Sequence, residues 1–319
     1  MRAFLDYLMA FGRRSSRTAF FLTLFMLAAL IVVNYRFGIE RRFLSLGSWY
    51  AEFGCLAAFY SAVIFLSWGL QYEWSGPDRP VISAGLLRVL IIAPLYFAAK
   101  MVHWDLSPIL PGAPGSLLNR YWATVTQLPA KFLLLVLILL ACRKAGWLKD
   151  ATGRRDFART LGITTRGFSA RPYFLILLML VPLVALASTQ PDFLLVYPKL
   201  KTVAYMNGYP GPAWPWKAGY ELAYGIDFMS IELFFRGLLV IGIVRYAGEK
   251  AIIPMAAFYC TIHFGKPMGE CISSFFGGLV LGVLACRTRS IVGGLIVHLG
   301  LAWLMEGMAF LSIFIHHQA

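Results

Sequence analysis

The chain has 319 residues, of which 59% are hydrophobic and only 14% charged, a balance that excludes an ordinary soluble globular domain. Its formal net charge of +14 would suit nucleic acid, but the basic residues cluster between apolar runs, so no nucleic-acid partner is expected and the lipid bilayer is the partner of most of the surface. The five cysteines lie mostly in apolar segments without Cys-x-x-Cys spacing, which supports neither a disulfide framework nor a zinc knuckle and leaves them as small core hydrophobes.

In chain order, Phe4, Leu5, Leu8 and Phe11 recur at helical spacing, the pattern of a short helix lying in the membrane interface. The basic run Arg13-Arg14-Ser15-Ser16-Arg17 then leads directly into a full-length apolar run without a small-residue cleavage site, so it reads as an uncleaved anchor. Crossing a hydrocarbon core takes roughly 17 to 25 apolar residues. Such runs are predicted near residues 19–35, 51–70, 84–102, 122–142, 172–188, 222–244, 251–264, 271–286 and 291–315, the seventh and eighth being short. Backbone amides in lipid must be satisfied internally, and continuous apolar runs exclude the alternation of a membrane barrel. The expected fold is all-α, a polytopic membrane helix bundle of about eight to nine transmembrane helices.

The connection from Arg143 to Arg171 holds eight Lys or Arg residues and the glycines Gly146, Gly153, Gly162 and Gly167. It is the longest polar connection and divides the chain into an N-terminal four-span unit, residues 1–170, and a C-terminal five-span unit, residues 171–319. The positive-inside rule assigns this loop and the N-terminus, with Arg2, Arg13, Arg14 and Arg17, to the cytoplasm. Nine spans then put His316-His317-Gln318-Ala319 outside, although Arg36, Arg41 and Arg42 in the first outer loop oppose the bias. Residues 191–216 carry five prolines with Trp214 and Trp216, which suits an irregular stretch at the interface, a lid or a loop. No internal repeat of the kind that marks many secondary transporters is visible.

Glu232 and Arg236 are the residues that most need explaining. They stand four apart in an apolar helix, so they share a face and can pair. The structural reading is an ion pair that fixes helix packing. Pairing lowers the cost of burial without making it favourable over apolar residues, and charges in a membrane helix usually face a cavity where they have work to do. Asp227 and Glu221, earlier on the same helix, are placed nearer the interface. His263 is followed by Gly265 and Pro267, which end its helix and make room for water or a ligand. His298 is again mid-span, and with His263 and Glu232 it supplies the residue types of a two-His, one-carboxylate site that binds a metal or activates water. Glu270 either sits at the cavity mouth or caps the helix that begins near Cys271. Glu306, about 80° around the helix from His298, shares the cavity or hydrogen-bonds a neighbouring helix.

These residues resemble the membrane-embedded CAAX protease and bacteriocin-processing family, which includes CAAX prenyl endopeptidases and abortive-infection type bacterial proteins. The family's motifs are Glu-Glu-x-x-x-Arg, Phe-x-x-x-His and His-x-x-x-Asn. This chain has Ile231-Glu232-Leu-Phe-Phe-Arg236-Gly237, Tyr259-Cys-Thr-Ile-His263 and His298-Leu-Gly-Leu-Ala302, with a glycine-rich span from Phe276 to Ser290 between the last two. Order and spacing agree over residues 224–305. Ile231 stands where the family's water-activating glutamate is usual, Ala302 replaces the asparagine, and Tyr259 replaces a phenylalanine.

The resemblance implies an intramembrane metalloendopeptidase in a bacterial inner membrane, cleaving membrane-associated peptides or lipid-anchored proteins. In that reading His263, His298 and Glu232 hold zinc or another divalent metal ion, or the histidines orient water. Glu232 or Glu270 acts as base, and Arg236 anchors Glu232. The glycines Gly277, Gly278, Gly282, Gly293 and Gly294 would let helices approach and shape the cavity. Two alternatives remain open: a pseudoprotease that binds a membrane partner without cutting it, suggested by Ile231 and Ala302, and a transporter.

Overall fold

A computed structural model describes residues 2–74, 76, 82–148, 156–165 and 168–318. Gly153, Gly167 and several basic residues of the 143–171 connection lie outside the described residues, as does Ala319. The described residues contain helices and no strands. In order these are α1 (Arg2–Arg14), α2 (Arg17–Phe37), α3 (Ile39–Phe43), α4 (Trp49–Glu73), α5 (Ala84–Met101), α6 (Leu117–Lys144) and α7 (Phe157–Thr160). They continue with α8 (Arg171–Ala187), α9 (Pro191–Val196), α10 (Trp214–Glu232), α11 (Val244–Ala247), α12 (Ile252–Thr261), α13 (Met268–Thr288) and α14 (Val292–Gln318). Helices α2, α4, α5, α6, α13 and α14 are long and apolar enough to cross a membrane, and α8 is apolar but only 17 residues long. The protein is a polytopic helical membrane protein. The apolar runs predicted from the sequence fall on helical segments, but the sixth is divided among α10, a π-helical segment, Leu233–Ile241, and the start of α11, and the seventh shortens to the ten residues of α12.

That shortening places His263. Residues 262–266 leave the α-helix through three-residue turns, with His263 N–H on Cys260 O at 3.0 Å and Lys266 N–H on His263 O at 3.0 Å. Pro267, which lacks an N–H, is extended at φ −50°, ψ 140° and precedes the first residue of α13. His263 therefore sits within the break itself, not at the end of a helix that runs up to it.

The chain forms two compact units. The first comprises Met1–His103, Ile138–Ser169 and Glu232–Gly294. Its centre is α12, which packs against α2, α4, α13 and a π-helical segment, Leu233–Ile241. Lipid tails are as apolar as side chains, so tight packing must hold such helices together. Gly278 and Gly282 of α13 provide it: a Cβ at Gly278 would come 3.2 Å from the Tyr259 ring, and one at Gly282 would come 2.6 Å from Met255 and 3.1 Å from Ile252. A Cβ at Gly277, by contrast, would meet nothing within 4 Å. On the other side, Phe97 contacts Tyr60, Phe234, Phe235 and Phe258, with ring centroids 5.3–5.9 Å apart. Such pairs each add about 0.5–1.5 kcal/mol beyond area burial.

Part of the basic connection belongs to this unit. Ile291 N–H bonds Gly162 O at 3.0 Å, and Ser290 Oγ bonds Thr164 O at 2.6 Å. Gly162 adopts φ +69°, and a Cβ there would strike Ile241, so only glycine fits this close approach. A Cβ at Gly237 would likewise lie 3.1 Å from Leu161 O. The far end of the first unit is clamped by α2. Asn34 Nδ2 donates to Phe264 O at 3.0 Å, Asn34 Oδ1 accepts from Glu40 N–H at 2.9 Å, and Tyr35 Oη donates to Lys266 O at 2.6 Å.

The second unit comprises Trp104–Leu137, Ala170–Ile231 and Leu295–Ala319. The proline-rich stretch is ordered here as α9 and a 3-10 segment, Lys199–Gly208, whose Val203 and Met206 are buried with Tyr121 and Tyr220. Glu306 of α14 accepts from Lys199 N–H at 2.5 Å and Leu200 N–H at 3.1 Å. Of the two roles open to Glu306, the structure shows the hydrogen-bonded one, a carboxylate satisfying the first donors of a helical segment.

Asn34→Ala removes the donor that bonds Phe264 O in the His263 turn and the acceptor that bonds Glu40 N–H in α3. It is expected to cost about 1–3 kcal/mol of stability, read by thermal unfolding in detergent, with faster amide exchange confined to residues 262–266.

Candidate active site

The π-helical segment follows directly on Glu232, with Gly242 N–H reaching back five residues to Gly237 O at 2.7 Å. Such π turns frequently mark functional positions in helices. Glu232 Oε1 lies 3.1 Å from Arg236 Nη1, and both side chains are 0% exposed. This is the pairing expected from their spacing. Gly294 closes over it, since a Cβ there would collide with the Glu232 carboxylate.

From Arg236 the contacts continue to His263. The guanidinium carbon lies 4.5 Å from the centroid of the Tyr259 ring, a cation–π geometry strengthened by exclusion of water. Tyr259 meets the His263 ring edge-on, with centroids 4.6 Å apart, and its carbonyl oxygen lies 2.8 Å from His263 Nδ1. A carbonyl can only accept, so Nδ1 carries a proton, and in the neutral ring Nε2 carries the lone pair. Tyr259, at the motif position where phenylalanine is usual, contributes its ring to Arg236 and its backbone to His263.

Glu270 occupies the first turn of α13 and pairs with Lys266 Nζ at 3.7 Å. A carboxylate there suits the helix N-terminus. Ile231 is half-buried and has no proton to exchange. His298 lies in the second unit, on α14, with its ring 5.9 Å from that of Phe228, and Ala302 is buried one turn further along. Asp227 and Glu221 belong to the same unit.

The sequence reading missed Glu40. Its carboxylate oxygens would stand 2.9 and 3.0 Å from a Cβ at Gly265, two residues after His263. Gly265 is thus required by a close approach and not only as a helix breaker. Burial holds the Glu40 carboxyl above its usual range. The available signal was an acid two residues after Gly38, which stops α2 at φ +62°. Flanked by Arg36, Arg41 and Arg42, it carries no local pattern that separates it from a solvated loop residue.

The Glu232 carboxylate is sealed against Arg236, and among the described residues no group of three or more His, Cys, Asp or Glu is disposed to hold a metal ion.

A buried charge pair in contact, through Tyr259, with a histidine at a helix break makes this the candidate active site of a helical membrane protein. Residues 222–304, about a quarter of the chain, match the family model described as Rce1-like, type II CAAX prenyl endopeptidase Rce1-like. That stretch is similar to the CAAX protease family domain. No curated protein and no solved structure matches the chain.

Two outcomes follow from this geometry. Arg236→Met or Glu232→Leu alone leaves a buried charge uncompensated and is expected to cost about 3–5 kcal/mol, whereas the double variant recovers most of that loss; unfolding of the three purified variants checks it. A carboxyl with a raised folded pKa must be ionised at a cost once the pH exceeds that value, and the cost vanishes below its unfolded value of about 4.3. Glu40→Gln is therefore expected to unfold at a higher temperature than the wild type at pH 7, with the difference disappearing as the pH falls toward 4.

Proposed function

We propose that this protein is an intramembrane endopeptidase acting on membrane-associated or lipid-anchored peptide segments, with its N-terminus on the cytoplasmic side. The single observation that carries this reading is the chain of contacts from Glu232 through Arg236 and Tyr259 to His263, all inside the segment matched to the CAAX protease family. A structural ion pair needs no such extension to a histidine of fixed tautomer.

In this reading His263 is the base. Water bound at Nε2 attacks the scissile carbonyl carbon while its proton passes to Nε2, and that proton then goes to the departing amine nitrogen as the C–N bond breaks. Glu40, against the same turn, stabilises the imidazolium formed in between. Glu232 and Arg236 are positioning residues that hold Tyr259, and through its carbonyl the imidazole. Glu270 stays on its helix terminus. The carboxylate missing at Ile231 is replaced from a different helix.

A second reading is favoured by Ile231 and Ala302: a protein that binds a membrane peptide in the same place without cutting it. Hydrolysis of fluorogenic membrane peptides, with and without a C-terminal lipid, by protein in liposomes separates the two. The expected result is cleavage that falls by about 10²–10⁴ in kcat in His263→Ala, with no sensitivity to chelators. Equal rates in the wild type, His263→Ala and His298→Ala would remove the histidines from the mechanism. Stoichiometric zinc that is lost in His263→Ala would restore the metal set of His263, His298 and Glu232.

A further inference from the structure

A cavity of about 680 Å³ opens in the first unit between the α1–α2 junction and the turn before α12, lined by Arg13, Arg14, Ser15, Gly248, Glu249 and Lys250. Its size is that of a ligand pocket. Three cations face it against one carboxylate, and that carboxylate is already engaged, since Glu249 pairs with Arg287 in the last turn of α13. Lys250 Nζ donates to Arg14 O at 3.4 Å, which ties the two walls together while keeping its charge at the cavity. A Cβ at Gly248 would meet nothing within 4 Å, so the floor is open and not filled by packing.

The position of the cavity in the chain selects its occupant. Arg13, Arg14 and Ser15 immediately precede the membrane-crossing helix α2, Gly248–Lys250 precede α12, and Arg287 ends the membrane-crossing α13. Arg13–Ser15 and Arg287 thus stand at the ends of membrane-crossing helices, where lipid phosphates lie, and Lys250 is tied to Arg14 there. Helix α1 packs against α13, while Leu5 and Met9, four residues apart on one face, remain 54% and 52% exposed. An apolar face beside a basic terminus is the arrangement of an interfacial helix that meets anionic lipid.

We propose that Arg13, Arg14 and Lys250 form a binding site for the phosphate headgroup of an anionic phospholipid, with the acyl chains running along α1. Its function is to seat α1 and the α12 entrance against one leaflet. The site stands apart from the His263 turn and does not depend on the protease reading.

The test uses delipidated full-length protein in detergent, with retained lipid counted by native mass spectrometry. Phosphatidylglycerol is expected to be retained roughly tenfold or more over phosphatidylcholine, and Arg13→Gln/Arg14→Gln/Lys250→Gln to abolish that preference. The charge-conserving Arg13→Lys/Arg14→Lys/Lys250→Arg should keep it, as should Arg41→Gln/Arg42→Gln elsewhere on the surface. Unchanged preference in the triple glutamine variant would overturn the proposal, as would its loss in the charge-conserving variant. Displacement of the lipid by millimolar inorganic phosphate would also overturn it, because the site would then be one for a free anion.

Discussion

The buried Glu232–Arg236 pair is the constraint around which the first unit is organised. Two charges with no exposure in a membrane-embedded core carry a desolvation cost of several kcal/mol each, and their mutual attraction offsets it only if geometry is tight. The neighbouring sequence supplies that geometry. Gly294 leaves room for the carboxylate, Gly237 lets the Leu161 carbonyl approach the π-helical segment, and Gly278 lets α13 close on Tyr259. Phe234 and Phe235, the residues between the charges, turn into the aromatic cluster around Phe97 and Phe258. Enlarging Gly294 would press on the pair, and enlarging Gly278 on the ring that covers it.

The pair acts at a distance through one residue. Tyr259 receives Arg236 on its ring face and offers its carbonyl to His263 Nδ1, so an electrostatic arrangement inside the bundle becomes a tautomer at the helix break. The break itself is held from outside the family-matched segment. Asn34 and Tyr35 at the end of α2 bond the carbonyls of Phe264 and Lys266, and Glu40 of α3 fills the space that Gly265 leaves. The N-terminal helices therefore brace the candidate site. The basic cavity beside Lys250 gives the start of α2 a second role, at the membrane surface.

Much of this was legible in the sequence where one physical rule dominates. Apolar run length located the helices, and four-residue spacing predicted the ion pair. The Gly265–Pro267 break announced the turn, although local three-residue hydrogen bonds moved His263 into it. What could not be read depends on tertiary proximity. Glu40 lies 223 residues from His263, a separation no local pattern spans. Glu306 becomes a cap only because the 199–208 segment folds beneath α14. Gly277 and Gly278 are neighbours in a glycine-rich run, yet only Gly278 faces α12, because adjacent residues on a helix point about 100° apart. The two compact units each draw on three separated stretches, a partition that reflects contacts and not chain order.

The account stands or falls on the state of the His263 imidazole. Nitrogen NMR of the ¹⁵N-histidine-labelled protein, with the His263 signal assigned by its loss in His263→Gln, reads that state without requiring a substrate. The account predicts a neutral ring protonated at Nδ1 with an unprotonated Nε2 in the wild type, and a mixture of tautomers once Arg236→Met releases Tyr259. A wild-type ring protonated at Nε2 instead would contradict it, because the base would then lack the lone pair that the contacts from Glu232 to His263 are arranged to present.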